Sequence, residues 1–163
     1  MRRSKRTIRR RRMENKTDYK LRKKILESKF PRIVIRKTNK YFIVQVVESS
    51  EAQDRVIKTI TSKKLLEYGW DKKMTGSLKS IPAGYLTGLV AAKEIGKGNF
   101  TVDLGMYRTL TGCRVFSVVK GLIDGGLGIS ANEKVFPSED RINGEHLKAE
   151  MKELISKVKS KIK

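Results

Sequence analysis

The chain holds one histidine, His146, and one cysteine, Cys113, which together limit the catalysis available to it. A Ser/His/Asp or Cys/His relay needs a base beside its nucleophile, and a zinc centre needs several imidazole or thiolate ligands. Neither set can be assembled here. His146 follows Gly144-Glu145 and reads as structural or partner-contacting and not catalytic, and Cys113 as a small buried hydrophobe with no neighbour to activate its thiol. Asp103 on a predicted strand and Asp124 on a predicted helix would suit a nuclease only if further carboxylates converged on a shared pair of metal ions. The strands predicted before them carry none. Gly121 to Gly128 is rich in glycine but lacks the Gly-Lys-Ser/Thr ending of a phosphate loop and the spacing of a dinucleotide fingerprint, so it reads as helix capping. No catalytic residue, bound metal, cofactor or small-molecule substrate is expected.

The chemistry that remains is cationic. Against 17 Asp+Glu stand 38 Lys+Arg, a formal net charge of +21 with a pI near 10.3; copies of such a chain repel one another unless a polyanion neutralises them. From Arg2 to Lys24, 13 basic residues are opposed only by Glu14 and Asp18, so about half of the net charge lies there. Arg2, Arg3, Lys5, Arg6, Arg9, Arg10, Arg11, Arg12 and Lys16 belong to residues 1–16, which have almost nothing to bury and are expected to be a disordered arm that orders on its partner. Lysine and arginine on phosphates release counterions and give steeply salt-dependent affinity without sequence information. Selectivity for folded RNA comes instead from unpaired bases stacking on rings and guanidinium planes. Rings and polar groups stand beside charges at Tyr19 with Arg22, in Arg36 to Tyr41 with Asn39 and Lys40, in Tyr68 to Lys73 with Trp70 and Lys72, and at Tyr107-Arg108 with Arg114. The competing interpretation of each is a solvated turn or a core aromatic, and for Trp70 and Tyr85 the core is equally well supported.

A membrane is also a polyanion, but the chain has no long apolar run and no Trp/Phe-rich amphipathic segment of the interfacial kind. Its basic start is followed by no apolar core of a signal peptide, and a lone thiol suits a reducing compartment, so a cytoplasmic protein is expected.

The elements that must position these groups follow from periodicity. With 163 residues, one domain is the prior. Thr17 is placed to cap a short basic helix carrying Leu21, Ile25 and Leu26, ended by Pro31. Arg32 to Lys37, Tyr41 to Val47 and Arg55 to Thr61 read as three successive strands, the first two joined by a Thr38-Asn39-Lys40 turn and the last two by the polar stretch Glu48 to Asp54. Pro82 opens a helix of about four turns that Gly96 closes. Phe100 to Leu104 is a strand, Val115 to Ile123 a helix stopped by Gly125-Gly126, and a further short strand is expected near Ile129. Leu147, Met151, Leu154, Ile155, Val158 and Ile162 share one face of a C-terminal amphipathic helix. The order indicates an α/β layered domain.

Several segments also carry a resemblance: Lys16-Thr17-Asp18-Tyr19, Pro31 to Arg36 with Thr38-Asn39-Lys40, Tyr68-Gly69-Trp70, Pro82 to Gly88, Gly112 to Phe116, and Phe136 to His146. In this order they resemble the archaeal and eukaryotic branch of the large-subunit ribosomal protein eighteen family, which binds 5S rRNA. The resemblance implies a layered mixed sheet of about five strands with helices, similar to the ribonuclease-H-like motif without its metal carboxylates. It implies a structural constituent of the large ribosomal subunit that binds 5S rRNA, helps attach it to 23S rRNA in the central protuberance, and touches neighbouring ribosomal proteins there. The arm arginines are then assigned to rRNA phosphates; Arg36, Asn39, Lys40 and Tyr41 to 5S rRNA; and Arg108 and Arg114 to a second RNA surface. The chain divides accordingly into a basic arm (1–16), a 5S-rRNA-binding α/β domain (17–130) and a C-terminal loop and helix (131–163). Ser130-Ala131-Asn132 departs from the Pro-His pair common in archaeal relatives. Two other readings suit the charge: a general nucleic-acid-compacting protein, and an RNA-processing nuclease that the carboxylate count disfavours.

Overall fold

The computed structural model describes residues 7–28, 30–51 and 53–162; Arg2, Arg3, Lys5 and Arg6 of the arm lie outside the described residues. In chain order the helices and strands are α1 (Arg10–Met13), α2 (Tyr19–Leu26), β1 (Arg32–Lys37), β2 (Phe42–Ser50), β3 (Gln53–Thr61), α3 (Ile81–Ile95), β4 (Thr101–Asp103), α4 (Arg114–Asp124), α5 (Glu139–Asn143) and α6 (Ala149–Ile162). Short 3-10 turns lie at Ser62–Leu66, Lys72–Ser77 and Glu133–Val135.

The sheet has the order β3-β2-β1-β4, antiparallel except for the parallel pair β1/β4. About five strands were expected; among the described residues four form. The segment near Ile129 contributes only a single parallel bridge, Asn99 to Gly128, made by the Gly128 amide donating to Gly98 and the Gly128 carbonyl accepting from Phe100, and the pairing does not continue to Ile129. The β1/β2 register sets Ile33 beside Val46 and Ile35 beside Val44, and strand side chains alternate. Ile33, Ile35, Phe42, Val44 and Ile60 therefore share one buried face.

That face is covered by α3 and α4. Every residue of α3 from Ile81 to Ala92 is buried, as befits a helix apolar all round, with the sheet on one side and α4, α5 and α6 on the others. Glycine lets the helices approach: a Cβ at Gly88 would strike the Val118 carbonyl, and one at Gly121 the Tyr85 carbonyl. The Gly121 to Gly128 stretch thus does more than cap. Its first glycine is a contact surface inside α4. From α6, Ile155, Val158 and Ile162 complete the core, while Leu147, Met151 and Leu154 are half-buried against it.

Three boundaries differ from expectation for local reasons. Asp18, not Thr17, caps α2, its carboxylate accepting from the Lys20 and Leu21 amides at 2.9 and 3.2 Å. Ser80 caps α3 through the Ala83 amide, so the helix begins one residue before Pro82. The polar stretch Glu48 to Asp54 is largely strand, with β2 running to Ser50 and β3 starting at Gln53, and Glu51 turns the chain with φ 49°.

Candidate nucleic-acid interface

One end of the sheet is built around a buried cation. Arg32 is 3% exposed, and its guanidinium donates to Asp54 (2.6 Å), Ser49 (3.0 Å) and Asp103 (3.4 Å). Arg22 of α2 reaches the other oxygen of Asp54 at 2.9 Å, and Arg36 donates to the Asp103 carbonyl at 2.7 Å and its carboxylate at 3.1 Å. Burial pushes the Asp54 carboxyl up, but hydrogen bonds from Ser49, Arg22 and Arg32 outweigh it and hold the group below its ordinary value. Asp103, one of the two carboxylates that would suit a nuclease, lies in this network with Asp54, whereas the other, Asp124, accepts from the Tyr85 hydroxyl. The Arg32 guanidinium is bonded to Asp54 and Asp103, and among the described residues no group of three or more His, Cys, Asp or Glu is placed to hold an ion.

The network fixes what surrounds it. The Arg36 guanidinium packs on Gly105, whose φ of 62° lets the chain leave β4 there. Arg11, Lys16, α2 and Met106 line one cleft with Arg36 and Asp103, so the arm and the β4–α4 loop meet on one side of the domain. Exposed Met106, Tyr107, Arg108 and Leu110 project from that loop, followed by exposed Arg114 at the start of α4.

Among the described residues cations lie over rings at four places, one of them Lys159 at 5.4 Å from the ring centre of Tyr85. In the other three, Arg9 sits 4.5 Å from the Tyr19 ring centre, Lys63 4.8 Å from that of Tyr41, and Lys37 5.8 Å from that of Tyr107. Among the described residues none of these three cations has a carboxylate partner. The β1–β2 turn is locked by Thr38, whose hydroxyl donates to the Tyr41 carbonyl (2.7 Å) and accepts from the Tyr41 amide (2.9 Å). It holds Asn39 and Lys40 out in solvent.

The sequence-predicted residues therefore fall into groups. Arg9, Arg10, Arg11, Arg12, Lys16, Asn39, Lys40, Lys72, Arg108 and Arg114 are exposed, and Tyr19 and Tyr41 half-buried. Arg10 and Lys16 share Glu14 at 3.0 and 2.8 Å, and Arg11 donates to Thr17 at 2.9 Å. Arg22 and Arg36 are engaged by carboxylates within the fold. Trp70 is a correction: it is 2% exposed in the core, with Nε1 directed at the Met74 carbonyl (3.4 Å), so its ring offers no face to a base. Tyr85 is also core, its hydroxyl donating to Asp124 at 2.9 Å and its pKa raised by burial and then by that carboxylate. Cys113 is half-buried against the core, and His146 is exposed. Sequence reasoning missed Arg32, Asp54 and Lys63, and it had Lys37 in the Arg36 to Tyr41 cluster without its Tyr107 partner. A charged residue opening the β-branched run Ile33-Val34-Ile35 was the available signal for Arg32, whereas Lys63 has none, since only the folded chain brings it to Tyr41.

What the geometry defines is an α/β scaffold with a buried ionic tie, displaying unneutralised cations and rings on its turns. Comparison with known proteins agrees. Residues 2–99 match the family described as "Ribosomal large subunit proteins 60S L5, and 50S L18". The chain is 42% identical over 143 residues to the large ribosomal subunit protein uL18 of Methanoregula boonei, spanning 86% of this chain and 80% of that one. It is 40% identical to the protein of the same name from Korarchaeum cryptofilum (85% and 70%) and 41% identical to that from Methanoculleus marisnigri (85% and 78%). The chain belongs to this family of large-subunit ribosomal proteins. It is a structural, ribosome-bound component of the large subunit in contact with rRNA and other ribosomal proteins, and it is not an enzyme. No helix among the described residues is long and apolar enough to cross a membrane.

Proposed function

We propose that the chain binds 5S rRNA and helps attach it to 23S rRNA in the central protuberance, beside other ribosomal proteins of that region. The observation that carries the reading is the set of exposed or half-exposed cation–ring pairs, Arg9/Tyr19, Lys63/Tyr41 and Lys37/Tyr107, whose cations have no carboxylate partner among the described residues. Such pairs suit phosphates flanking unpaired bases. In this reading the arm, residues 1–16, lies on rRNA with its arginines on phosphates. Asn39, Lys40 and Tyr41 meet 5S rRNA from the locked turn, Lys72 extends that surface, and Arg108 with Arg114 forms a second RNA surface. Arg22 and Arg36 act by positioning the arm and the β4–α4 loop, and residues 131–163 pack on residues 17–130 and face neighbouring proteins. Sedimentation tests the proposal. The protein should co-migrate with large subunits and leave them together with 5S rRNA when the particle is stripped; departure without 5S rRNA, or retention after 5S rRNA has gone, refutes it.

A further inference from the structure

Between the β1–β2 turn and the 3-10 turns that follow β3 lies a groove of about 610 Å³, within the ~300–1,000 Å³ of small-ligand sites. Its apolar lining is Tyr41, Leu66 and Leu78, and three lysines, Lys40, Lys63 and Lys79, line it as well. No Asp or Glu lines it, whereas the arm-side cleft contains Asp18 and Asp103, and the cavity beside Phe30 contains Glu48 and Asp54. None of the three lysines has a carboxylate partner among the described residues. Lys63 instead covers the Tyr41 ring.

We infer that this groove takes one unpaired nucleotide of the bound RNA, its base against Tyr41 and Leu66 and its flanking phosphates among Lys40, Lys63 and Lys79. The inference rests on the reading of the chain as an rRNA binder and names the class of nucleotide that this face selects. A base within a duplex is stacked on both sides and cannot enter, so only a loop, bulge or end supplies the ligand. The flexible stem of Lys63 lets its ammonium exchange the ring for a phosphate as the base arrives. An acidic peptide would satisfy the lysines but leave the tyrosine ring without a planar partner.

The test uses the full chain and a decauridylate carrying 4-thiouridine, with photocrosslinks mapped by mass spectrometry. Gly76, in the groove wall, has open space where a Cβ would lie and no left-handed φ, so Gly76→Glu adds a carboxylate to the groove without disturbing the fold. Crosslinks at Tyr41 should fall about tenfold in Gly76→Glu, roughly what one neutralised phosphate is worth near 0.1 M salt. They should persist in Gly76→Gln, and crosslinks in the arm should be unchanged in both. Equal Tyr41 crosslinking in wild type and Gly76→Glu overturns the inference, as does displacement of Tyr41 crosslinks by poly-glutamate but not by unlabelled decauridylate. If Tyr41 crosslinks behave as stated while intact 5S rRNA is bound no better than other RNA, the groove stands and the 5S assignment falls. A clear 5S preference that Gly76→Glu leaves untouched sinks the groove alone.

Discussion

Arg32→Met removes the cation on which one end of the sheet is organised and leaves its partners in place. Asp103, at 13% side-chain exposure, keeps Arg36, and Asp54, at 32%, keeps Arg22 and Ser49. Breaking a buried pair from one side costs about 3–5 kcal/mol, because an uncompensated charge stays behind. The retained partners and the partial exposure of Asp54 put this case at the lower end, about 3 kcal/mol. For a chain of this size that corresponds to a fall in Tm of roughly 6–12 °C. The single tryptophan, Trp70, is buried, so urea unfolding followed by its fluorescence reports the whole domain. A midpoint for Arg32→Met equivalent to less than about 1 kcal/mol of destabilisation, with an unchanged slope, would mean that the network is a surface decoration and the reasoning wrong.

Three further predictions use the same fluorescence assay or a binding titration. Gly88→Ala and Gly121→Ala should each destabilise by about 1–3 kcal/mol, because the added methyl meets a backbone carbonyl of the facing helix and neither helix can yield locally; a shift toward higher urea in either would refute the close approach of α3 and α4. The Asp54 carboxyl is held below its ordinary 3.8, so its contribution is complete above that pH and is lost as pH falls through the lower folded value. Unfolding midpoints of Asp54→Asn should therefore change less between pH 5 and 2 than those of the wild type, and parallel curves would count against the ion pairs. Removal of residues 1–16 takes away nine basic residues and Glu14; each phosphate no longer neutralised lowers the salt slope by about 0.7–0.9. The slope for 5S rRNA should accordingly fall by several units while weaker binding that still prefers that RNA remains, and an unchanged slope removes the arm from the mechanism.

Much of the scaffold was readable from local pattern. Ile33-Val34-Ile35 and the run from Phe42 alternate as strands do, and the glycines after Ile95 and Asp124 end their helices where periodicity stops. What escaped depended on partners distant in sequence. Asp54 looked like part of a polar connection because its partners, Arg22 and Arg32, lie 32 and 22 residues away. Trp70 beside Lys72 and Lys73 looked like a stacking platform, yet the 3-10 turn at Ser62–Leu66 and the Asp71 cap turn its ring inward. Lys63 joined Tyr41 only because β2 and β3 pair Ile43 with Thr61. Composition announced the cationic character, whereas the pairing of cations with rings at Tyr41 and Tyr107 required the fold.

The central claim is that cations and rings displayed by this scaffold select a folded RNA instead of merely attracting negative charge. It is tested most directly by competing labelled 5S rRNA off the full chain at physiological salt with unlabelled 5S rRNA, with an unrelated structured RNA of equal length, and with duplex DNA of equal charge. The account predicts displacement by unlabelled 5S rRNA at concentrations at least tenfold below the other two. Equal displacement by all three would contradict it.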